Sequence, residues 1–269
     1  MKILVCAKDV PDPDHVVVRV REDDRAVIGE VSEYRMNRFD AFAVEEALRI
    51  REALGNAAID VLTVGPSRAK DVPRRGVGMG ADRGIHLETQ ADGYLSPRTK
   101  AAWIATYARG KGYDLILTGA MSEDMMNGQV GPMVAAFLNL PWATQVIRTR
   151  LPREGKNALA PVSSEICVER EIEGGSREIL EIALPAVLAL QTGINEPRYP
   201  SLSNLLRANK QEMETVAVAL AGAGNEKAME DMAGMEMPQK MRAGRHLEGS
   251  PSDKAGQLIA ILQDKALLS

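Results

Sequence analysis

The sequence has few of the residues on which several common functions depend. Only 4% of its 269 residues are aromatic, and its net charge is −4 with both signs spread along the chain. Nucleic-acid binding normally needs a basic surface and aromatic side chains on which bases stack, so this composition argues against nucleic acid as a main partner. No apolar run approaches the roughly 20 residues of a membrane-spanning helix, so we expect no direct membrane insertion.

Cysteine is also scarce. Cys6 and Cys167 are the two cysteines, and each lies in an apolar, strand-like run. Two lone cysteines in a chain of this length indicate buried, reduced thiols, as in the cytosol. The first residues, MKILVCAK, place one lysine before a very short apolar run, which predicts a first strand and no targeting segment. We therefore expect a cytoplasmic protein of bacterial type.

The sequence contains no motif of a known catalytic centre. Its three histidines, His15, His86 and His246, are far apart, and C-x-x-C, G-x-S-x-G, Walker and G-x-G-x-x-G motifs are absent. Glu123 and Asp124 are adjacent carboxylates, for which solvation on a loop is the ordinary explanation. The sequence thus predicts neither an enzyme nor a metal site.

Strand and helix patterns alternate along most of the chain, which predicts a doubly wound, mostly parallel α/β sheet of Rossmann-like type. Asp40 precedes the first helical pattern, and we expect it to be the N-cap of that helix. The predicted strands are Lys2–Lys8, Ala58–Val64, Gly84–Leu87 and Asp114–Thr118, with a hairpin over His15–Val20 and Ala26–Val31. One predicted helix begins after Asp40. Three further helices are predicted over Ser67–Val77, Pro97–Arg109 and Gln129–Leu138.

Ligands of such sheets bind beyond the carboxyl ends of the strands. The strand ends to compare are Cys6-Ala7-Lys8, Val64-Gly65-Pro66 and Thr118-Gly119-Ala120. The loop Gly119–Gly131, GAMSEDMMNGQVG, leads into a helix whose N–H groups could cradle a phosphate. A capped surface loop is the alternative reading of this segment.

The segment from Val168 to Lys210 has a different organisation. Two alternating runs joined by Glu173-Gly174-Gly175-Ser176 predict a β-hairpin. The following INEPRYPSL is polar and fixed by two prolines, and a short amphipathic helix comes next. Leu202 is the apolar residue at the tip of this loop, where it either is presented to a partner or simply packs at the start of the helix.

This segment resembles the electron transfer flavoprotein β subunit. The resemblance rests on the spacing of Arg170, Glu173-Gly174-Gly175, Glu178 and Pro185, and on NEPRY followed by S-L-x-N. MNRFDAFAVEEAL, VGMGADRGIHL and the loop Gly119–Gly131 are three further similar blocks, in family order. The resemblance implies a heterodimer with an α subunit that holds most of the FAD, and electron transfer from acyl-CoA or related dehydrogenases to a membrane quinone oxidoreductase.

The resemblance also implies a nucleotide site and partner contacts. The positions similar to the family's AMP contacts are Cys6, Ala7, Asn37, Arg38, Phe39, Asp40, Val64, Gly119, Asp124, Asn127, Gly128, Gln129, Val130 and Gly131. Among these, Asn37 and Asp124 would bind ribose or base, and Asn127–Gly131 the phosphate. Leu202 would insert into a pocket of the dehydrogenase, Arg207 and Lys210 would follow as basic residues, and Glu171 would pair with an arginine of the FAD domain.

Two departures from the family pattern bear on this reading. Electron-bifurcating members, which hold a second FAD in place of AMP, often carry G-x-Q-x-x-D-G-D where this chain has GAMSEDMM. AMP is therefore favoured, with a bifurcating β subunit as the alternative. Pro13 stands where some members place a tyrosine near the flavin, which indicates a different flavin environment. A stand-alone adenine-nucleotide sensor is a third reading.

The domain boundary is predicted near residue 210. Residues 1–210 would form the nucleotide-binding domain, with the hairpin at 166–184 and the recognition loop at 193–210. Residues 211–269 would be a C-terminal arm, with a Met-rich stretch from Glu226 to Met241 and an amphipathic helix from Pro251 to Leu268. We expect the methionines to pack on a partner rather than to bind a metal or cofactor, and the resemblance implies that the helix contacts the α subunit.

Overall fold

A computed structural model describes residues 1–20, 27–31, 33–90, 94–151, 164–218, 244–265 and 267. The strands are β1 Lys2–Cys6, β2 Asp9–Pro11, β3 Val16–Val20, β4 Val27–Val31, β5 Tyr34–Met36, β6 Ala58–Gly65, β7 Arg83–Glu88, β8 Leu115–Gly119, β9 Trp142–Arg150, β10 Glu165–Glu171, β11 Arg177–Ala183, β12 Ala186–Leu190 and β13 Glu214–Ala217. The helices are α1 Arg38–Leu54, α2 Asp71–Met79, α3 Pro97–Ala108, α4 Val130–Leu138, α5 Leu202–Lys210 and α6 Pro251–Asp264. The Met-rich stretch predicted as an arm lies outside the described residues.

The centre of the molecule is a nine-stranded sheet in the order β11-β10-β9-β12-β8-β1-β6-β7-β13. Every neighbouring pair from β9 to β13 is parallel, whereas β9, β10 and β11 pair in antiparallel fashion. The predicted fold class is therefore confirmed. The hairpin β10–β11 continues the sheet at one edge, and β13, which lies beyond residue 210, completes it at the other.

Side chains of β1 show why its sequence is apolar without interruption. Ile3 and Val5 belong to one buried cluster, which includes residues of α1 and α2, while Leu4 and Cys6 belong to a second, which includes residues of α3 and α4. Successive residues of a strand point to opposite faces, so a strand with helices on both sides has no solvent-facing position. Cys6 is buried and Cys167 is only partly buried, and both are free thiols.

The order of the strands fixes where the chain changes direction. From β1 the chain runs through α1, β6, α2 and β7 toward one edge, and then crosses over through α3 to β8 on the other side of β1. The carboxyl ends of β1 and β8 therefore diverge into connections on opposite sides. Such a switch point leaves a crevice in which α/β proteins bind ligands.

Several local expectations need revision. The segment predicted as a helix over 67–77 is a 3₁₀ turn at Ser67–Lys70 followed by α2, and Pro73 lies in the first turn of α2, where its missing N–H removes no helical bond. Strand β9 was not predicted, because Gln145 at φ 55° and a mixed burial pattern interrupt its alternation. Strands β2, β5 and β13 were also not predicted. None of the helices in the described ranges is long and apolar enough to cross a bilayer.

Candidate functional site: a cavity at the switch point

A cavity opens at the carboxyl ends of β1 and β8. Strand ends, the first turns of α1 and α3 and the loop leading into α4 all contribute to its walls. The lining residues are Cys6, Ala7, Lys8, Asn37, Asp40, Leu62, Val64, Leu95, Pro97, Lys100, Ile104, Thr118, Gly119, Ala120, Met121, Ser122, Met125, Asn127, Gly128, Gln129, Val130 and Gly131. The three predicted strand ends thus meet at one site.

Asp40 joins the two central strands at the floor of the cavity. Its Oδ2 accepts a hydrogen bond from the backbone N–H of Lys8 at 2.8 Å, and its Oδ1 accepts one from Gly119 at 2.9 Å. Burial raises the pKa of Asp40 to about 7, although these two N–H donors act in the opposite direction. The expectation that Asp40 caps α1 is wrong: Asn37 occupies the N-cap position, and Asp40 lies inside the first turn.

Gly119 is the residue that permits this close approach. A Cβ at this position would lie 2.5 Å from Oδ1 of Asp40 and 2.6 Å from Cβ of Phe39. Phe39 therefore supports the site from behind, although it does not line the cavity. Any side chain at position 119 would push the start of α1 away from β8.

Asn37 and Glu123 hold the loop that follows β8. The amide of Asn37 donates to the carbonyl of Met121 at 2.9 Å and accepts from the N–H of Glu123 at 3.1 Å. The carboxylate of Glu123 accepts from Arg35 Nη2 and from the backbone N–H of Arg38, each at 3.1 Å. The amide of Asn37, which the resemblance assigned to ribose or base, is thus engaged with this loop.

The ammonium groups of Lys8 and Lys100 reach the cavity. Only Lys8 is adjacent in sequence to a predicted site residue, Ala7. Lys8 forms an ion pair with Asp124 and a 3.4 Å hydrogen bond to Oγ of Ser122. Burial raises the pKa of Asp124, but Lys8 more than offsets this and holds the carboxyl below its usual value. Burial, together with the nearby charge of Lys8, lowers the pKa of Lys100 to about 8. The expectation that Glu123 and Asp124 are merely solvated is wrong.

The loop enters α4 through a segment with little room for side chains. Gly128 has φ 62°, and a Cβ on Gly131 would lie 2.7 Å from Oγ1 of Thr118. Gln129 occupies the N-cap position without a side-chain hydrogen bond. The first N–H groups of a helix have no intrahelical acceptor, so the start of α4 offers donors and a positive dipole end to an anion in the cavity.

Eleven of the fourteen predicted cofactor residues line this cavity, and the other three, Arg38, Phe39 and Asp124, lie directly behind it. Sequence reasoning missed Lys100 and the apolar wall of Leu62, Leu95 and Ile104. No sequence pattern pointed to Lys100. It lies on α3, and only the crossover connection between β7 and β8 brings this helix to the cavity. Lys8 could have been found, since it is the first polar residue after β1.

The predicted recognition loop is held against α1. The guanidinium of Arg198 donates to Oε2 of Glu45 at 2.8 Å from Nε and to Oε1 at 2.9 Å from Nη2, and it reaches Glu52 at 2.8 Å. Asn195 donates to Glu46 at 2.9 Å and to the carbonyl of Phe42 at 3.1 Å. Glu45 is only 4% exposed, so this is a partly buried, charge-assisted anchor.

Leu202 lies at the first position of α5, and 74% of its surface is exposed. Tyr199, three residues earlier, is 90% exposed. About one turn further along α5, Leu205 packs on α2 at Gly78, where an added Cβ would lie 3.1 Å from Cδ2 of Leu205. Helix α5 is therefore fixed on one side, and Leu202 points away from the core.

The other predicted partner residues are on the surface. Arg207 and Lys210 are exposed in the last turn of α5, and Glu171 is exposed at the end of β10, opposite Arg177.

Of the histidines, His86 is buried with Nε2 3.0 Å from the carbonyl oxygen of Gly65, and His246 is exposed. His15 lies on the surface near Asp12 and Glu33, with Nδ1 3.6 Å from a Glu33 oxygen.

A doubly wound sheet with a cavity at its switch point defines a Rossmann-like α/β domain, and in such domains this is the usual place for a ligand. Comparison with known proteins then identifies the family. A family model described as the electron transfer flavoprotein domain matches residues 25–221.

Three curated relatives illustrate the match. The electron transfer flavoprotein subunit beta of Bos taurus is 34% identical over 92% of this chain and 93% of its own. That of Methylophilus methylotrophus is 30% identical over 98% of each chain, and the mitochondrial protein of Arabidopsis thaliana is 38% identical over 81% of this chain and 82% of its own. The chain belongs to the electron transfer flavoprotein β-subunit family, whose members are electron carriers.

Proposed function

We propose that this chain pairs with an α subunit to form a heterodimeric electron transfer flavoprotein, and that it binds AMP in the switch-point cavity. The α subunit would hold the FAD, which supplies the redox chemistry when bound. The complex would carry electrons from acyl-CoA or related dehydrogenases to a membrane quinone oxidoreductase. This chain would contribute position and electrostatics and would perform no bond-making step.

The observation that carries the AMP assignment is the composition of the cavity wall. At one side, Asn127–Gly131 and the start of α4, which has no side-chain cap, offer backbone N–H donors. Elsewhere, the side chains of Leu62, Val64 and Ile104 form an apolar wall. A phosphate group fits the first region and an adenine ring the second. The absence of G-x-Q-x-x-D-G-D from the loop supports AMP rather than a second FAD.

The surface features support a role in docking. Leu202 would be the apolar anchor for the dehydrogenase, with Arg207 and Lys210 as its charged surroundings. Glu171, at the free end of the hairpin, would pair with an arginine of the mobile FAD domain and hold one of its orientations. Helix α6 would lie against the α subunit, because none of its residues is buried in the described part of the chain.

The cofactor content of the heterodimer tests this proposal. The chain is produced together with its α subunit, the complex is denatured, and released FAD and AMP are quantified per heterodimer. We expect one of each. Two FAD and no AMP would overturn the AMP assignment in favour of a bifurcating complex, which would need NADH as electron donor. A flavin-free homomer that recovers no α subunit would overturn the heterodimer and favour a nucleotide sensor.

A further inference from the structure

The two ammonium groups of the cavity are not equivalent. Lys8, at the end of β1, is already neutralised, since Asp124 pairs with it and Ser122 accepts a hydrogen bond from it. A ligand that paired with Lys8 would have to displace Asp124. Lys8 therefore contributes little positive charge to an incoming anion.

Lys100, in contrast to Lys8, is not neutralised by a neighbouring carboxylate in the described part of the chain. Its side chain is partly buried in the first turn of α3 and lines the cavity, yet no residue in the described ranges pairs with it or accepts a hydrogen bond from it. Asp124 and Asp9 act on it only through longer-range attraction, while burial and Lys8 both disfavour its charge. A partly desolvated ammonium without an ion-pair partner is costly, and an anion in the cavity would remove that cost.

The position of Lys100 relative to α4 indicates which part of a ligand it would meet. Helices α3 and α4 pack against each other, and the guanidinium of Arg98 lies 5.2 Å from the ring of Phe137 across this contact. The first turns of both helices border the cavity, with Lys100 on one and Gly128–Gly131 leading into the other. The ammonium and the helix N-terminus thus act on the same space.

We propose that Lys100 is a specificity-determining residue, whose charge makes the cavity select a ligand with a doubly charged terminal phosphate over the corresponding uncharged nucleoside. The inference rests on the proposed nucleotide-binding function and adds the group that reads the ligand's charge. Helix N–H donors alone would accept any oxygen acceptor, whereas an unpaired ammonium favours charge.

The test compares AMP with adenosine on the heterodimer after its nucleotide has been removed. Calorimetric titrations use the unaltered complex, Lys100→Met, which keeps the length of the side chain, and Lys70→Met, which removes an exposed lysine outside the cavity. We expect Lys100→Met to weaken AMP at least tenfold and to change adenosine by less than twofold. Lys70→Met should change neither, and Lys100→Arg should recover part of the loss.

The pH dependence provides a second readout. AMP should bind the unaltered complex progressively more weakly above about pH 8, because Lys100 has its pKa near that value in the empty cavity. Lys8, Asp9, Asp40, Asp124 and Cys6 also border this region and are unchanged in Lys100→Met, so the difference between the two pH profiles reports Lys100. The profile of the variant should lack this decline.

Each outcome decides one question. Equal AMP affinity of Lys100→Met and the unaltered complex would overturn the inference, as would an equal loss for AMP and adenosine, which would mean that Lys100 only packs. Tight FAD binding without AMP binding would overturn the AMP assignment and the inference with it, because FAD has no terminal phosphate. Failure of all three ligands to bind the unaltered complex would overturn both proposals.

Discussion

Asp60 shows how one buried carboxylate connects neighbouring strands. Its side chain, on β6, accepts hydrogen bonds from Arg83 at 2.9 and 2.7 Å and from the hydroxyl of Tyr113 at 2.7 Å. Burial raises the pKa of Asp60, but Arg83 and Tyr113 more than offset this and hold it below its usual value. The ionised form is therefore the one that the fold stabilises.

Replacing Asp60 with Asn should lower the free energy of unfolding at pH 7 by about 1.5–3 kcal/mol, the usual loss for hydrogen bonds to a charged group. A carboxyl whose pKa is depressed in the folded state stabilises the fold above its unfolded value of about 3.9, and this contribution is lost as the pH falls through the folded value. The difference between the two proteins should thus be constant near neutrality and should shrink below about pH 4. Urea unfolding at a series of pH values measures it.

Asp71→Asn is the control for this change. Asp71 is also an aspartate with an arginine partner, Arg74, but its side chain is 74% exposed. An exposed ion pair contributes about 0–1 kcal/mol, so this variant should unfold close to the unaltered protein. An Asp60→Asn protein that is as stable as Asp71→Asn at pH 7 would contradict the role given to Asp60.

At the scale of elements, the segment before α5 is defined by its anchor rather than by its own structure. Arg198 and Asn195 tie it to α1, and Leu205 ties α5 to α2. A polar segment with two prolines gains its fixed shape from these contacts, because it has no strand or helix bonds of its own. The anchor therefore determines where Leu202 is presented.

Leu202→Ala should slow electron transfer from the dehydrogenase severalfold and leave FAD content and heterodimer assembly unchanged, since the side chain is exposed within this chain. Arg198→Met should slow transfer in the same way with Leu202 intact, because the loop loses its fixed position. Stopped-flow reduction of the flavin by the dehydrogenase measures both. In hydrogen exchange, Arg198→Met alone should show faster exchange over 194–201.

Ile179→Ala is the matched control, because Ile179 is 71% exposed but lies on the edge strand β11. Arg74→Met controls for the loss of another partly buried arginine, whose side chain is 29% exposed. Transfer at the unaltered rate in Leu202→Ala would refute the docking role of α5. Slow transfer without faster exchange in Arg198→Met would refute the anchor as the cause.

The same elements show what could be predicted from the sequence. The continuous apolar run of β1, the glycine-linked hairpin and the alternation of strands and helices gave the architecture, because each depends on local pattern and on connection rules. The strand ends indicated where a ligand site would lie, and the family resemblance supplied the site residues, eleven of which line the cavity. Asp40 was misassigned because an aspartate before AFAVEEAL is a typical cap, whereas its real partners, Lys8 and Gly119, are distant in sequence.

At the scale of the whole molecule, helix α6 packs little against the described part of the chain. Helix α6 begins with a capping box at Ser250 and Asp253, yet it buries no residue, and Leu258 and Ile259 are 48% and 49% exposed. A helix of this length has little stability by itself in water. Its exposed apolar side chains add no stabilisation from burial. Its stabilisation is therefore expected to come from a partner surface.

Ending the chain after Gly249 should leave the thermal midpoint of the isolated chain unchanged, because no buried contact of the described residues is removed. The same truncation should weaken assembly with the α subunit at least tenfold, as measured by titration of one subunit against the other. A double substitution, Leu258→Ser with Ile259→Ser, should reproduce much of the loss. Full-strength assembly of the truncated chain would contradict the role of α6, and a lower midpoint would show that the helix packs on its own chain.

The floor of the cavity joins three stretches that are far apart along the chain. It needs the end of β1, the start of α1 and the loop after β8, joined by the hydrogen bonds of Asn37 and Asp40. These contacts span 32 to 84 positions, so loop closure must be complete before the pocket exists. A ligand of this pocket therefore binds the folded chain and not the unfolded one. By mass action, its binding would also shift the folding equilibrium toward the folded state.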